Sequence, residues 1–251
     1  MITAGIDLSA DVKKTGVASI EWSDGRAVVV DLSVGQHDDA ALCELIRAVD
    51  KTGIDCPLGW PSPFIDYLIA HRAGGHDLVV PETRHALTQR TTDIHVTART
   101  GTRPLSVSAD RIGSAAMRCA AVLSILTRSG ARVDRTGQTG PIVEVYPAAA
   151  LKFWGLPNTG YKGTKATETG QRSTLVSRIL RAMPWLDLGD HRESCLHSDD
   201  ALDAVLCAVI AGLSRQGLCE PVPESALQVA QAEGWVALPT TGALTAVEGS
   251  Q

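Results

Sequence analysis

Rings are scarce in this chain, with two Phe, three Tyr and five Trp among 251 residues. Small aliphatic side chains must fill most of the interior, and little is left for a platform that stacks unpaired bases. Trp60, Phe64 and Tyr67 form the one aromatic group near a candidate acid, and core packing is the expectation for them. No Cys-x-x-Cys pair joins the six cysteines (43, 56, 119, 195, 207 and 219), so they read as buried thiols and not as a disulfide framework. No apolar run reaches the roughly 18 residues of a membrane span. The longest, Ala201 to Leu213, is interrupted by Asp203. A basic segment leading into a long apolar one is missing after Met1, which gives the expectation of a cytoplasmic chain. Gly-x-Ser-x-Gly and Gly-x-Gly-x-x-Gly are missing as well, which removes the hydrolase elbow and the dinucleotide fingerprint. The stretch Gly155 to Lys162 nearly makes a phosphate loop. Tyr161 stands where the lysine should be and no strand directly precedes it, so the match reads as chance. The histidine pairs His71/His76 and His191/His197 lack the i,i+4 spacing of helical metal ligands and read as ordinary.

Charge is unevenly spread. Twenty-three Lys+Arg against 28 Asp+Glu leave a net charge of −5, which argues against non-specific polyanion binding. Residues 1–60 carry ten acids and five bases. Residues 84–135 reverse the sign with nine Arg, no Lys and three Asp. Arginine suits bidentate recognition of phosphate or carboxylate, although a solvated helix face is the plainer reading of such a run. Beyond Pro221 there is neither Lys nor Arg, and the small, polar residues from Thr240 to Gln251 are expected to fray.

Alternation of apolar and polar residues predicts strands over Ile2–Leu8, Gly16–Trp22 and Arg26–Val34, the last two joined by a hairpin turn at Asp24-Gly25. Leu42, Leu45, Ile46 and Val49 recur at helical spacing within Asp38–Lys51, and a short strand follows near Gly53–Cys56. The opening order is thus β-β-β-α-β. Helices are predicted near Phe64–Arg72 and Asp110–Arg128, a strand over Pro141–Tyr146, and further helices over Ser173–Met183 and Asp199–Gln216. The organisation expected is one domain, with a core of about 1–56 and 138–217, an insertion of about 57–137 and an extension over 218–251.

Four acids stand where chemistry could use them. Asp7 and Asp55 each close an otherwise apolar strand. If those strands are parallel neighbours, their ends lie about 4.8 Å apart. Two carboxylates that close repel unless a cation sits between them. Glu144, in mid-strand, could supply a third oxygen ligand or pair with one of the arginines. In Ser198-Asp199-Asp200-Ala201-Leu202-Asp203, Ser198 fits an N-cap and the first two acids complement the helix dipole. Asp203 has no such explanation, because it sits in the second turn of a helix that is apolar nearly all round. Asp200 lies one turn before it on the same face. A cluster built only of carboxylates favours Mg²⁺ or Mn²⁺ over zinc.

The ordered set Gly5-Ile6-Asp7-Leu8-Ser9, Ile54-Asp55-Cys56-Pro57-Leu58-Gly59-Trp60-Pro61, Arg90-Thr91-Thr92-Asp93, Ala109-Asp110-Arg111-Ile112-Gly113, Glu144-Val145-Tyr146-Pro147, Gly160-Tyr161-Lys162-Gly163, Ser198 to Ala204 and Glu233-Gly234-Trp235-Val236 resembles the predicted-nuclease family called domain of unknown function 429. That resemblance implies a ribonuclease H-like α/β fold. Its sheet would have five strands in the order 3-2-1-4-5, with strand 2 antiparallel and helices on either side. It further implies Asp7, Asp55 and Asp203 as catalytic metal ligands, with Asp200 as their helical partner and Glu144 as an acid of the family's own motif. Arg90, Asp93, Arg111 and Lys162, in the same motifs, are the candidates for substrate contact.

The expected function is therefore a metal-dependent phosphodiesterase, a nuclease of two-metal type, using Mg²⁺ or Mn²⁺ on a nucleic-acid or nucleotide substrate. Two other readings stay open. An ATP phosphotransferase of the actin and sugar-kinase type also begins with a Gly-x-Asp strand and hairpin, but such enzymes typically need two copies of the fold. A non-catalytic nucleic-acid or protein binding module on the same fold would fail to bind metal. The oligomeric state is left open, a homodimer included.

Overall fold

The computed structural model describes residues 1–75 and 81–247, so His76 and the last four residues lie outside the described residues. Strands β1 (Ile2–Asp7), β2 (Gly16–Ser23) and β3 (Arg26–Val34) form the expected antiparallel meander. Asp24 (φ 48°) and Gly25 (φ 71°) both take the left-handed conformation that a tight hairpin turn requires. Helix α1 (Asp39–Ala48), capped by the Asp38 carboxylate accepting from Ala41 N at 2.9 Å, returns the chain to β4 (Lys51–Asp55), parallel to β1. Four helices follow: α2 (Ser62–Arg72), α3 (Pro81–Thr88), α4 (Thr91–Thr100) and α5 (Gly113–Arg128). Next come β5 (Ile142–Glu144), α6 (Pro147–Phe153), α7 (Ala166–Ala182), β6 (Leu186–Asp187), α8 (Arg192–His197), α9 (Asp199–Arg215), α10 (Leu227–Glu233) and α11 (Ala243–Ala246).

The sheet has six strands in the order β5-β4-β1-β2-β3-β6, with β2 running against the others. This corrects the five-strand expectation by one strand at the β3 edge. At two residues β6 is too short to show a period, and it exists through its pairing with Ala27 and Val28. Helices α3 and α4 were also not legible. In α4, β-branched threonines weaken local propensity, and the start of the helix is fixed from far away, where Glu233 accepts from Thr91 N at 2.8 Å. Of the tail expected to fray, the described part, Thr240 to Val247, is held in place, and the last four residues lie outside the described residues. Ala243 and Val247 are buried in the main core, and Trp185 Nε1 donates to Leu244 O at 2.9 Å.

Two layers of helix cover the sheet. On one face α7 and α9 pack Leu175, Ile179, Leu202, Leu206 and Val209 against Ala18, Ile20 and Trp22. On the other, α1 and α5 pack Leu42, Ile46, Cys119 and Val122 against Ile6, Val17 and Ile54. All six cysteines are free and five are buried, in line with the thiol reading. Among the described residues no helix is long and apolar enough to cross a membrane.

Glycines let α9 approach the sheet. A Cβ on Gly5 would stand 2.0 Å from Ala204 O and 2.2 Å from Ala208 N, and one on Gly53 2.4 Å from Cys207 O. Strand alternation then turns Asp7 and Asp55, two residues beyond those glycines, toward the same helix. Gly5→Ala must push α9 off the sheet, and should lower the unfolding free energy by about 3 kcal/mol, the upper end of ordinary over-packing. Urea unfolding reads this directly, and an unchanged midpoint would contradict the close packing.

Candidate functional site

Asp7 and Asp55 face one another in the parallel register of β1 and β4. Asp203, in the second turn of α9, completes a trio whose nearest carboxylate oxygens all lie within 4.8 Å of one another. The sequence implied this group, and the glycine floor brings it together. Burial above all, then the charges of Asp203 and Asp55, push the Asp7 carboxyl well above the usual range. Burial lifts Asp55 to about 7, with Lys162 opposing and Asp203 and Glu144 adding to the rise. The fully buried Asp203 is also raised by burial, while Lys162 and the Tyr161 hydroxyl pull it back.

Tyr161 and Lys162 arrive on the strap between α6 and α7. The Tyr161 hydroxyl donates to Asp203 Oδ1 at 2.8 Å. The Lys162 ammonium lies 2.5 Å from Asp203 Oδ2 as an ion pair without the alignment of a hydrogen bond. Among the described residues Oδ2 has no hydrogen-bond partner. Burial works against the charged lysine, but Asp203, Asp55 and Asp7 outweigh it and raise its pKa above the ordinary lysine value. Three hard oxygen donors within 4.8 Å of one another, one of them held only by a lysine ammonium, suit a divalent ion such as Mg²⁺ or Mn²⁺. The near-match to a phosphate loop is thus the segment that carries Lys162 to the acids.

Arg172 holds that strap in place, and sequence reasoning missed it. Its buried guanidinium donates through Nη1 to Tyr161 O at 2.7 Å and Gly163 O at 2.9 Å, the two carbonyls flanking Lys162. Nε and Nη2 reach Leu196 O and His197 O at 3.0 and 2.9 Å, just before α9 begins. The one local signal was an arginine on the face that α7 buries, three and four residues before Leu175 and Val176.

The structure gives Arg90, Asp93 and Glu144 a different place from the one expected. Arg90 is 2% exposed. Nε and Nη2 donate to the Asp93 carboxylate at 3.1 and 2.8 Å, Nη1 and Nη2 to Glu144 at 2.9 and 2.7 Å, and Nη1 also to Glu233 O at 3.0 Å. All five guanidinium hydrogens are therefore used inside the protein. None remains for a phosphate, which corrects the substrate-contact reading of Arg90 and Asp93. Glu144 likewise accepts from Arg90 with both oxygens and from Leu58 N at 3.0 Å, so it clamps this network and is no free ligand. Glu233 accepts from Ser62 N and Thr91 N, both at 2.8 Å, and Gly234 (φ 89°) passes where a Cβ would stand 2.6 Å from Glu144 Oε2. Four separate sequence motifs, those of Leu58, Arg90, Glu144 and Glu233, thus meet in one buried network.

Asp200 stands outside the trio, half-buried, its carboxyl raised by burial and then by Asp199 and Asp203. A cleft of about 380 Å³ opens in front of Asp7 and Asp55, with Pro104, Leu105 and Ile112 as an apolar wall and exposed Arg111 and Lys162 and half-buried Tyr146 along its rim. Of the other arginines in 84–135, Arg99 pairs with Glu220, Arg118 binds Asp39, Ser9 O and Thr15, and Arg135 donates to Ala232 O. Much of the arginine-rich stretch is spent on internal ties. Trp60 packs partly buried against the α1–α5 core, and Tyr67 stacks on His71.

A family model described as Protein of unknown function (DUF429) matches residues 5–227. No curated protein and no solved structure matches the chain.

Proposed function

The chain belongs to the DUF429 family of proteins of unknown function, and from that premise we propose that it is a metal-dependent phosphodiesterase of ribonuclease H-like type. Its substrate would be a nucleic acid or nucleotide. The observation that carries the reading is the trio Asp7, Asp55 and Asp203, gathered within 4.8 Å from two adjacent parallel strands and a buried helix. The sheet order β3-β2-β1-β4-β5, with β2 reversed, is consistent with that fold type and leaves β6 as an added edge.

Bound Mg²⁺ or Mn²⁺ would supply an activated water and stabilise the leaving oxyanion. The protein's share is positional. Asp7, Asp55 and Asp203 would hold the ion, and the Tyr161 hydroxyl fixes the Asp203 carboxylate through Oδ1 and leaves Oδ2 to Lys162 or the ion. Arg111 and Lys162, on the cleft rim, orient phosphate oxygens, and Pro104, Leu105 and Ile112 offer a dry wall to the sugar or base. Three carboxylates without a divalent ion would repel a phosphodiester, so substrate binding should itself depend on metal.

Thermal unfolding with Mn²⁺ titrated from micromolar to millimolar tests the reading without a guess at substrate. Wild type should gain about 2.7 kcal/mol at one hundred times Kd, and Asp203→Asn should gain nothing. No gain in wild type would sink the proposal. A gain retained by Asp203→Asn would place the metal elsewhere.

A further inference from the structure

Lys162 occupies a position that a divalent ion would contest. Its ammonium lies 2.5 Å from Asp203 Oδ2, a buried oxygen to which the structure gives no other partner among the described residues. An ion coordinated to that oxygen would sit about 2.1 Å from it, and so within about 4.6 Å of the ammonium nitrogen even with the two on opposite sides. Two cations that close, beside a fully buried carboxylate and with Leu8, Cys56 and Val145 lining the cleft around them, repel strongly because little water enters between them. The lysine is also built to leave. Its side chain is 52% exposed, it lies between Gly160 and Gly163, and Arg172 pins the flanking carbonyls. Only side-chain rotation is needed, because the backbone of the strap stays fixed.

We propose that Lys162 is the resident counter-cation of the acid trio, which a divalent ion must displace from Asp203, and that the displaced ammonium then faces the cleft as the phosphate-binding group. This rests on the metal reading above and adds to it. The lysine weakens metal binding, offsets part of the metal-free trio's charge, and couples ion entry to the exposure of a cation for substrate. A lysine that merely helps bind phosphate would leave metal affinity untouched, and one that supports the carboxylates in the loaded site would strengthen it.

The test is Mn²⁺ binding to the full chain, followed by titration calorimetry and by the loss of the free-ion resonance signal, in wild type, Lys162→Met and Lys162→Gln. Both variants should bind Mn²⁺ at least tenfold more tightly than wild type. Without metal both should melt below wild type, and saturating Mn²⁺ should close that gap. Equal or weaker Mn²⁺ affinity in both variants overturns the proposal while leaving the phosphodiesterase reading intact. Failure of every form to bind Mn²⁺ at millimolar concentration overturns both. Circular dichroism confirms folding, and agreement of the two variants guards against a defect peculiar to one of them.

Discussion

Arg90→Met should destabilise the protein by about 3–5 kcal/mol, the cost of removing one partner from a buried ion network. For a chain of this size that is a fall in Tm of roughly 6–20 °C. The reason lies in what is left behind. Asp93 and Glu144 are almost wholly buried and both give their oxygens to the guanidinium, so its loss strands two carboxylates away from water. Glu233 O and the entry of α4 lose a donor as well. Arg90→Lys should recover little, because a point charge cannot span two carboxylates and a carbonyl with five directed hydrogens. An arginine reserved for phosphate would behave in the opposite way, leaving Tm unchanged and weakening only ligand binding. A variant that melts within two degrees of wild type would return Arg90 to the substrate surface.

Asp55→Asn should stabilise the metal-free protein at pH 8 while abolishing its response to Mn²⁺. The unfolded chain releases this proton near pH 4, whereas burial holds the folded carboxyl at about 7. Between those limits the folded state binds more protons than the unfolded state, so stability falls as pH rises. The penalty is absent below the lower limit and complete above the upper one, and is on the order of a few kcal/mol at most. Asparagine carries no such charge, so the variant's stability should decline less steeply from pH 4 to 8. Asp7 and Asp203, raised in the same direction, keep part of the slope. Metal reverses the sign, since only the ionised acids bind it and affinity should grow with pH. Urea unfolding in chelator across this range, with and without Mn²⁺, separates the two effects. A wild type that becomes more stable from pH 4 to 7 without metal would contradict the crowding of these acids.

The sequence alone fixed those features that depend on neighbours a few residues apart. Strand alternation and Asp24-Gly25 determined the meander, helical spacing determined α1 and α9, and the isolation of Asp203 in an apolar helix marked it as an acid with a task. Asp7 and Asp55 were legible because an acid at the end of an apolar strand breaks a local rule. Tertiary structure alone decided the charges whose partners are distant. Arg90 and Glu144 are 54 residues apart, and Arg90 and Glu233 143 apart, so nothing near Arg90 distinguishes a buried clamp from a phosphate ligand. Tyr161 and Lys162 reach Asp203 across 42 and 41 residues, and Arg172 acts through backbone carbonyls that carry no residue identity. A charged side chain looks the same in the sequence whether it faces water or a buried partner, and only the packing that removes the water settles which it is.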